Sequence, residues 1–262
     1  MALLRALNRR ARVIYQRNPL VEVVAAVAFP PLLRLIQEPP KELQARVGRE
    51  YPYTSYIEAP HLGLPDQHNE GKPQQQSPLR TTTFSSVDRA WTVSVSSTVL
   101  GLTCTKYSEW SQFRTRFSEL LKVFHEIYNL TVTTRLGLRY KDVINKQQLG
   151  AVDHPWHDLI RPEVLATFEF FTADLDNNPP VAATLQLEIP PGKVNVAFST
   201  VTNTEKQIGF LIDTDCYSEE TREFDLGGLM KSADDLHEYT SIVFQACITD
   251  FLHEQLEPLP SP

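Results

Sequence analysis

The sequence predicts an α+β fold in which largely antiparallel sheets are packed by long helices. Three observations predict it. β-rich runs separated by short polar turns follow one another from 79 to 105 and from 181 to 216 with no helix between them, an order that makes antiparallel neighbours rather than a doubly wound parallel sheet. Two segments, 107–129 and 233–256, carry apolar residues at helical spacing over several turns. The order strand, helix, three strands, helix also occurs twice, opened by Asn18 and again by Asn129, although the halves share little residue identity. Read as a duplication, it divides the chain into a basic amphipathic arm at 1–17, a first unit at 18–128, a second unit at 129–257 and a tail at 258–262.

In chain order, "NPLVEVVAAVAFPPL" predicts a central strand at 20–29, β-branched and nearly all apolar, closed by Pro30 and Pro31, which have no amide proton for a sheet. Pro39 and Pro40 suit the first turn of a short helix in which Leu43, Val47 and Tyr51 recur every four residues, and Pro52 ends it. "YTSYIEA" predicts a short strand. The polar stretch at about 60–78, rich in Pro, Gly and Gln and without periodicity, predicts a surface loop. Residues 79–88 and 90–105 predict a hairpin turning at "VDRA". In "YSEWSQFRTRFSELLKVFHEIYN", Trp110, Phe113, Phe117, Leu120, Leu121, Phe124 and Ile127 form one wide apolar stripe, with Ser108 or Tyr107 near the start. The second half predicts a strand at 130–144, a helix capped by Asp153 through "DHPWHDLIRPEVLATFEFF", strands at about 181–189, 193–202 and 207–216, and a helix from about 233 to 256.

At 262 residues and 42% hydrophobic content the chain can bury one large core or two small ones. The formal net charge is −7 and residues 1–17 hold five arginines and no acid, so residues 18–262 sum to −12. That acidity argues against wide wrapping of nucleic acid by the body, because such binding needs many cations to displace counterions. The arm is different: Leu3, Leu4, Leu7, Ala11 and Ile14 share an apolar face with Arg5, Arg9, Arg10 and Arg12 opposite. It reads as an ordered or partner-binding arm that could contact nucleic acid, acting in binding and not in folding, with an organellar targeting segment as the second reading. Cys104, Cys216 and Cys247 are odd in number, far apart and outside any zinc spacing, which predicts buried, reduced thiols in a cytoplasmic protein. No apolar run is long enough for a transmembrane helix.

No motif for nucleotide, nucleophile-elbow or HExxH zinc chemistry occurs, and no cofactor is implied. His154, His157 and Asp158 fall within one helical turn, and Asp213 and Asp215 alternate to one side of a strand end; together they are the weak candidates for a metal. In "LTVTTRLGLRYKDVI", alternation puts Arg135, Arg139 and Lys141 on one face of a strand whose other face is apolar. Such a stripe either meets the protein's own carboxylates or binds an anion or partner through arginine's planar donor fork.

"NPLVEVVAAVAFPPL", "YSEWSQFRTRFSELLKVF" and "RLGLRYKDVI" resemble an uncommon, sporadically distributed bacterial family of similar-length proteins with no assigned biochemical function. The family's Gly-Leu-Arg-Tyr strand usually continues Ile-Asn where this chain has Lys141-Asp142. The resemblance implies that Arg139 and Tyr140 are family features and that mobile or antiviral-defence gene neighbourhoods are a suitable setting. The leading expectation is a non-enzymatic interaction or assembly protein with a protein partner, its oligomeric state left open. A sensor of a small anionic ligand, with a cleft between the two units, and a metal-dependent hydrolase are the alternatives. An apolar cavity between the halves would favour the sensor, and converging carboxylates the hydrolase.

Overall fold

The computed structural model describes residues 13–59, 79–169, 175 and 182–260. Its strands are β1 (Val13–Tyr15), β2 (Leu20–Ala28), β3 (Tyr53–Ala59), β4 (Leu79–Ser85), β5 (Trp91–Val95), β6 (Val99–Cys104), β7 (Val132–Thr133), β8 (Arg135–Asn145), β9 (Ala182–Ile189), β10 (Gly192–Thr202), β11 (Ile208–Ser218), β12 (Arg222–Glu223) and β13 (Pro258–Pro260). Its helices are α1 (Leu33–Gln37), α2 (Lys41–Val47), α3 (Trp110–Tyr128), α4 (Lys146–Leu149), α5 (Trp156–Leu159), α6 (Pro162–Glu169), α7 (Leu226–Cys247) and α8 (Asp250–Gln255). The predicted α+β class is the one observed, a large antiparallel sheet packed against helices.

Nine strands form one sheet in the order β3-β4-β5-β6-β2-β8-β11-β10-β9. In each half the first strand pairs with the last, β2 with β6 and β8 with β11, and the intervening strands step outward. The halves meet where β2 pairs antiparallel with β8, from Leu20 opposite Asp142 to Ala28 opposite Arg135, across a bulge between Leu20 and Glu22. The near-continuous apolarity of β2 follows from this central place: Val23, Ala25 and Val27 are fully buried under the helices. A single cluster of buried side chains runs through both halves. In it α3 lays Phe113 against Trp91 and Phe124 against Phe29, with ring centroids 5.7 and 5.2 Å apart. Phe113, Phe117 and Phe124 are each 0% exposed, so truncating any one to alanine costs about 3–5 kcal/mol. In the second half α7 packs on β8 and β11, and Trp156 and Phe168 close on Phe210.

Several elements differ from the sequence expectation. The run at 90–105 is two strands, because Ser96 turns the chain: its Oγ accepts from the amides of Thr98 and Val99 while its own amide bonds Val99 O. The helix expected after Asp153 is α5 and α6, separated at Ile160 and Arg161, since the residues before Pro162 disfavour helical backbone. Asp153 caps neither; Pro155 precedes α5. The last helix begins at Leu226, where the Asp225 side chain accepts from the amides of Gly227 and Gly228, and breaks at Ile248 before Thr249 caps α8. The expected loop at about 60–78 lies outside the described residues. Among the described residues no helix is long and apolar enough to cross a membrane.

The arm also differs. Residues 1–12, with Arg5, Arg9, Arg10 and Arg12, lie outside the described residues. Val13–Tyr15 is not helical; it pairs antiparallel with Pro258–Pro260 of the expected tail. The Tyr15 hydroxyl and His253 Nδ1 are hydrogen-bonded at 2.8 Å, the ring packs edge-on to Phe244 at 5.8 Å, and Arg17 meets Glu257 at 2.8 Å. The end of the arm, residues 13–17, is therefore packed on the body, although the arm is expected to act in binding and not in folding. Removing residues 1–17 should cost about 2 kcal/mol and lower Tm by roughly 5 °C; an unchanged thermal unfolding curve would show that the β1–β13 clasp contributes nothing.

Candidate functional site

The basic stripe lies on the face of the sheet opposite the helices, as alternation along β8 requires. Each of its cations meets an acid of the same sheet. Arg139 donates Nε and Nη2 to the two oxygens of Asp213 at 2.7 and 2.6 Å, Arg135 donates Nη2 to Asp215 at 2.9 Å, and Lys141 reaches Glu22 at 2.6 Å. The arginines bond diagonally, for Asp215 stands directly opposite Arg139 and Asp213 opposite Lys141. Arg135 lies over the Tyr217 ring at 4.4 Å, and a Cβ on Gly137 would stand 2.6 Å from its Nη1, so glycine leaves the room the guanidinium needs. Hydrogen bonding to Asp213 raises the Arg139 pKa further, while burial pushes the Asp215 carboxyl up in spite of Arg135.

The weak metal set is not brought together. Asp213 and Asp215 are engaged by arginines on the open face, whereas His154 bonds Asp158 at 2.9 Å and packs on Phe251. Among the described residues no group of three or more His, Cys, Asp or Glu could hold a metal ion. The three cysteines are buried and unbridged, and burial pushes the Cys247 thiol up to about 12, a poor nucleophile at neutral pH.

The helix-covered face holds a different site. A cavity of about 330 Å³, at the small end of the range for small-molecule sites, is walled by β1, the starts of β2 and α3, the middle of β8 and the outer half of α7. It thus draws on both halves of the sheet and on the clasped N-terminal strand. Ser108, Glu109 and Ser111 form an exposed rim, and Tyr140, Asp142, His237 and Thr240 form a buried floor. The floor is held by specific contacts. The Tyr140 hydroxyl bonds His237 Nδ1 at 2.7 Å, and the Thr240 hydroxyl donates to the His237 carbonyl at 2.8 Å. Trp110 stacks on His237 with centroids 4.3 Å apart, and Tyr107 meets Tyr140 edge-on at 5.9 Å. Asp234 of α7 fixes the α3 wall, accepting from Trp110 Nε1 at 2.8 Å and from Arg114 Nε and Nη2 at 2.7 and 3.0 Å.

Asp142 sets the electrostatics of this floor. It is 6% exposed, in phase with Leu136, Leu138, Tyr140 and Ile144 on the inner face of β8, and no described residue hydrogen-bonds or ion-pairs with its carboxyl. Burial, reinforced by the charge of Asp213 across the sheet, pushes its pKa up to about 8. At neutral pH it is therefore mostly a carboxylic acid able to donate a hydrogen bond into the cavity. Sequence reasoning missed this residue because it followed the cations of the same strand. The available signal was phase, an acid recurring at two-residue spacing on the apolar side.

The sign of the linkage is fixed by the raised value. Between the ordinary pKa of 3.8 and about 8 the folded chain keeps a proton that the unfolded chain has lost, so the contribution of Asp142 to stability falls as pH rises through that window. Asp142→Asn removes this dependence and should gain roughly 4 kcal/mol over the parent between pH 5 and pH 8, at up to about 1.4 kcal/mol per unit. Parallel stability profiles for the two proteins, measured by denaturant unfolding, would contradict an acid held neutral.

Comparisons with protein-family models, with curated proteins and with solved structures find no match, so the site is defined by its own geometry.

Proposed function

We propose that this chain is a small-molecule-binding protein, a sensor or carrier, whose ligand occupies the cavity between the two halves. The observation that carries the reading is the cavity itself, apolar and aromatic on its walls with a buried polar floor, which is the usual make-up of a ligand site. The alternative of partner binding through the basic stripe is less favoured because Arg135, Arg139 and Lys141 are already ion-paired. The ligand contacts expected of Arg135 and Arg139 move to the other side of the sheet with different residues. A partner remains compatible as the output of such a sensor: β1 is both a cavity wall and half of the clasp with β13, so occupancy bears directly on how that clasp is held. Arg5, Arg9, Arg10 and Arg12 precede that strand, where a bacterial interaction system could read the change.

Ser241 lines the cavity from α7 and is replaceable without touching the floor contacts. Ser241→Trp should fill the space, keep the parent's circular dichroism spectrum and abolish stabilisation by ligands. In a thermal-shift screen of several hundred small metabolites, the reading predicts compounds that raise Tm by several degrees in the parent, an effect expected when ligand exceeds Kd by a hundredfold or more, and not in the variant. No such compound, or compounds that act equally on both proteins, would overturn it.

A further inference from the structure

We infer that the cavity takes an organic amine, a small molecule with one protonated nitrogen on an apolar or aromatic body, which it grips through the Asp142 carboxylate. This deepens the ligand-binding reading and rests on it. Two independent features point to the same chemistry. The first is the acid itself: Asp142 is 94% buried by its 6% exposure, lines the cavity and has no hydrogen-bond or ion-pair partner among the described residues. A buried carboxyl without a partner is costly, and a cationic ligand supplies the missing counter-charge at close range. The second is the wall. Tyr15, Tyr107, Trp110, Tyr140 and Phe244 surround the cavity, and aromatic faces attract ammonium groups while excluding water. An anionic ligand would meet the opposite environment, because Arg114, the cation on the rim, is held by both oxygens of Asp234.

Binding has a defined proton balance. The protonated amine enters, the Asp142 carboxyl gives its proton to solvent, and an ammonium–carboxylate pair remains. The titratable and charged groups that line the cavity with Asp142 or act on it are Tyr15 of β1, Tyr140 on its own strand, His237 and Cys247 of α7, Tyr107 and Glu109 before α3, the Arg114–Asp234 pair at the rim, and Asp213 with Arg139 behind the sheet. Proton release assigned to Asp142 must therefore vanish when that residue alone is replaced.

The test uses three probes of one shape: 2-phenylethylamine, 2-phenylethanol and phenylacetate. Titration calorimetry on the full chain at pH 6.5, in two buffers of different ionisation enthalpy, should give at least tenfold tighter binding of the amine than of the other two, with close to one proton released. At pH 9.5 the release should fall towards zero. Asp142→Asn should fold, lose the preference for the amine and release no proton. Tighter binding of the alcohol or the acid would overturn the amine assignment while leaving the ligand-binding reading in place. So would amine binding that is unchanged in Asp142→Asn. Binding of none of the three also overturns it, and the metabolite screen on Ser241→Trp then decides separately whether the cavity binds anything.

Discussion

The antiparallel pairing of β2 with β8 is the constraint on which the rest depends. It fuses two strand sets into one sheet, and because side chains alternate, it commits every second residue of β8 to the helical side and the others to the open side. The helices α3 and α7 must then lie on the same face, each over its own half, bridged by Asp234 with Arg114 and Trp110. The cavity forms where that bridge, the floor of β8 and the clasped strand β1 enclose space that neither half encloses alone.

The same alternation separates two kinds of charge. On the open face the arginine and lysine side chains are about one-third to one-half exposed, and their pairs with Asp213, Asp215 and Glu22 contribute about 1 kcal/mol or less apiece. Three such pairs tie neighbouring strands together without dominating stability. On the covered face Asp142 has no counter-charge among the described residues and is destabilising in the neutral range. Its position opposite Leu20, in phase with the buried Leu136, Leu138 and Ile144 of the same strand, is a local inconsistency of the kind that marks functional sites.

Much of the fold was legible. β2, the first hairpin strand and α3 carry strong period-two or helical patterns, and their observed bounds lie within a few residues of those expected. The misses have local causes: the Ser96 side chain makes a turn that apolar alternation hides, Pro162 divides a helical pattern, and Asp225 starts α7 earlier than its apolar stripe suggests. The clasp of β1 with β13 was not legible, since its strands stand at opposite ends of the chain and are three residues each. The site shares that difficulty. Its parts come from 13–20, 107–114, 140–142 and 237–244, and only the tertiary fold brings them together. Asp142 alone could have been marked in advance, and only as an acid in the wrong phase.

The central claim is that the cavity floor holds a carboxyl kept neutral by burial and open to a ligand. Carbon-13 NMR of the protein labelled at aspartate carboxyls, with Asp142→Asn to assign the signal, measures this directly. The account predicts that Asp142 titrates near pH 8 in the free protein. A midpoint in the ordinary range near pH 4 would show that the carboxyl is solvated or already paired, and the account of the cavity would fail.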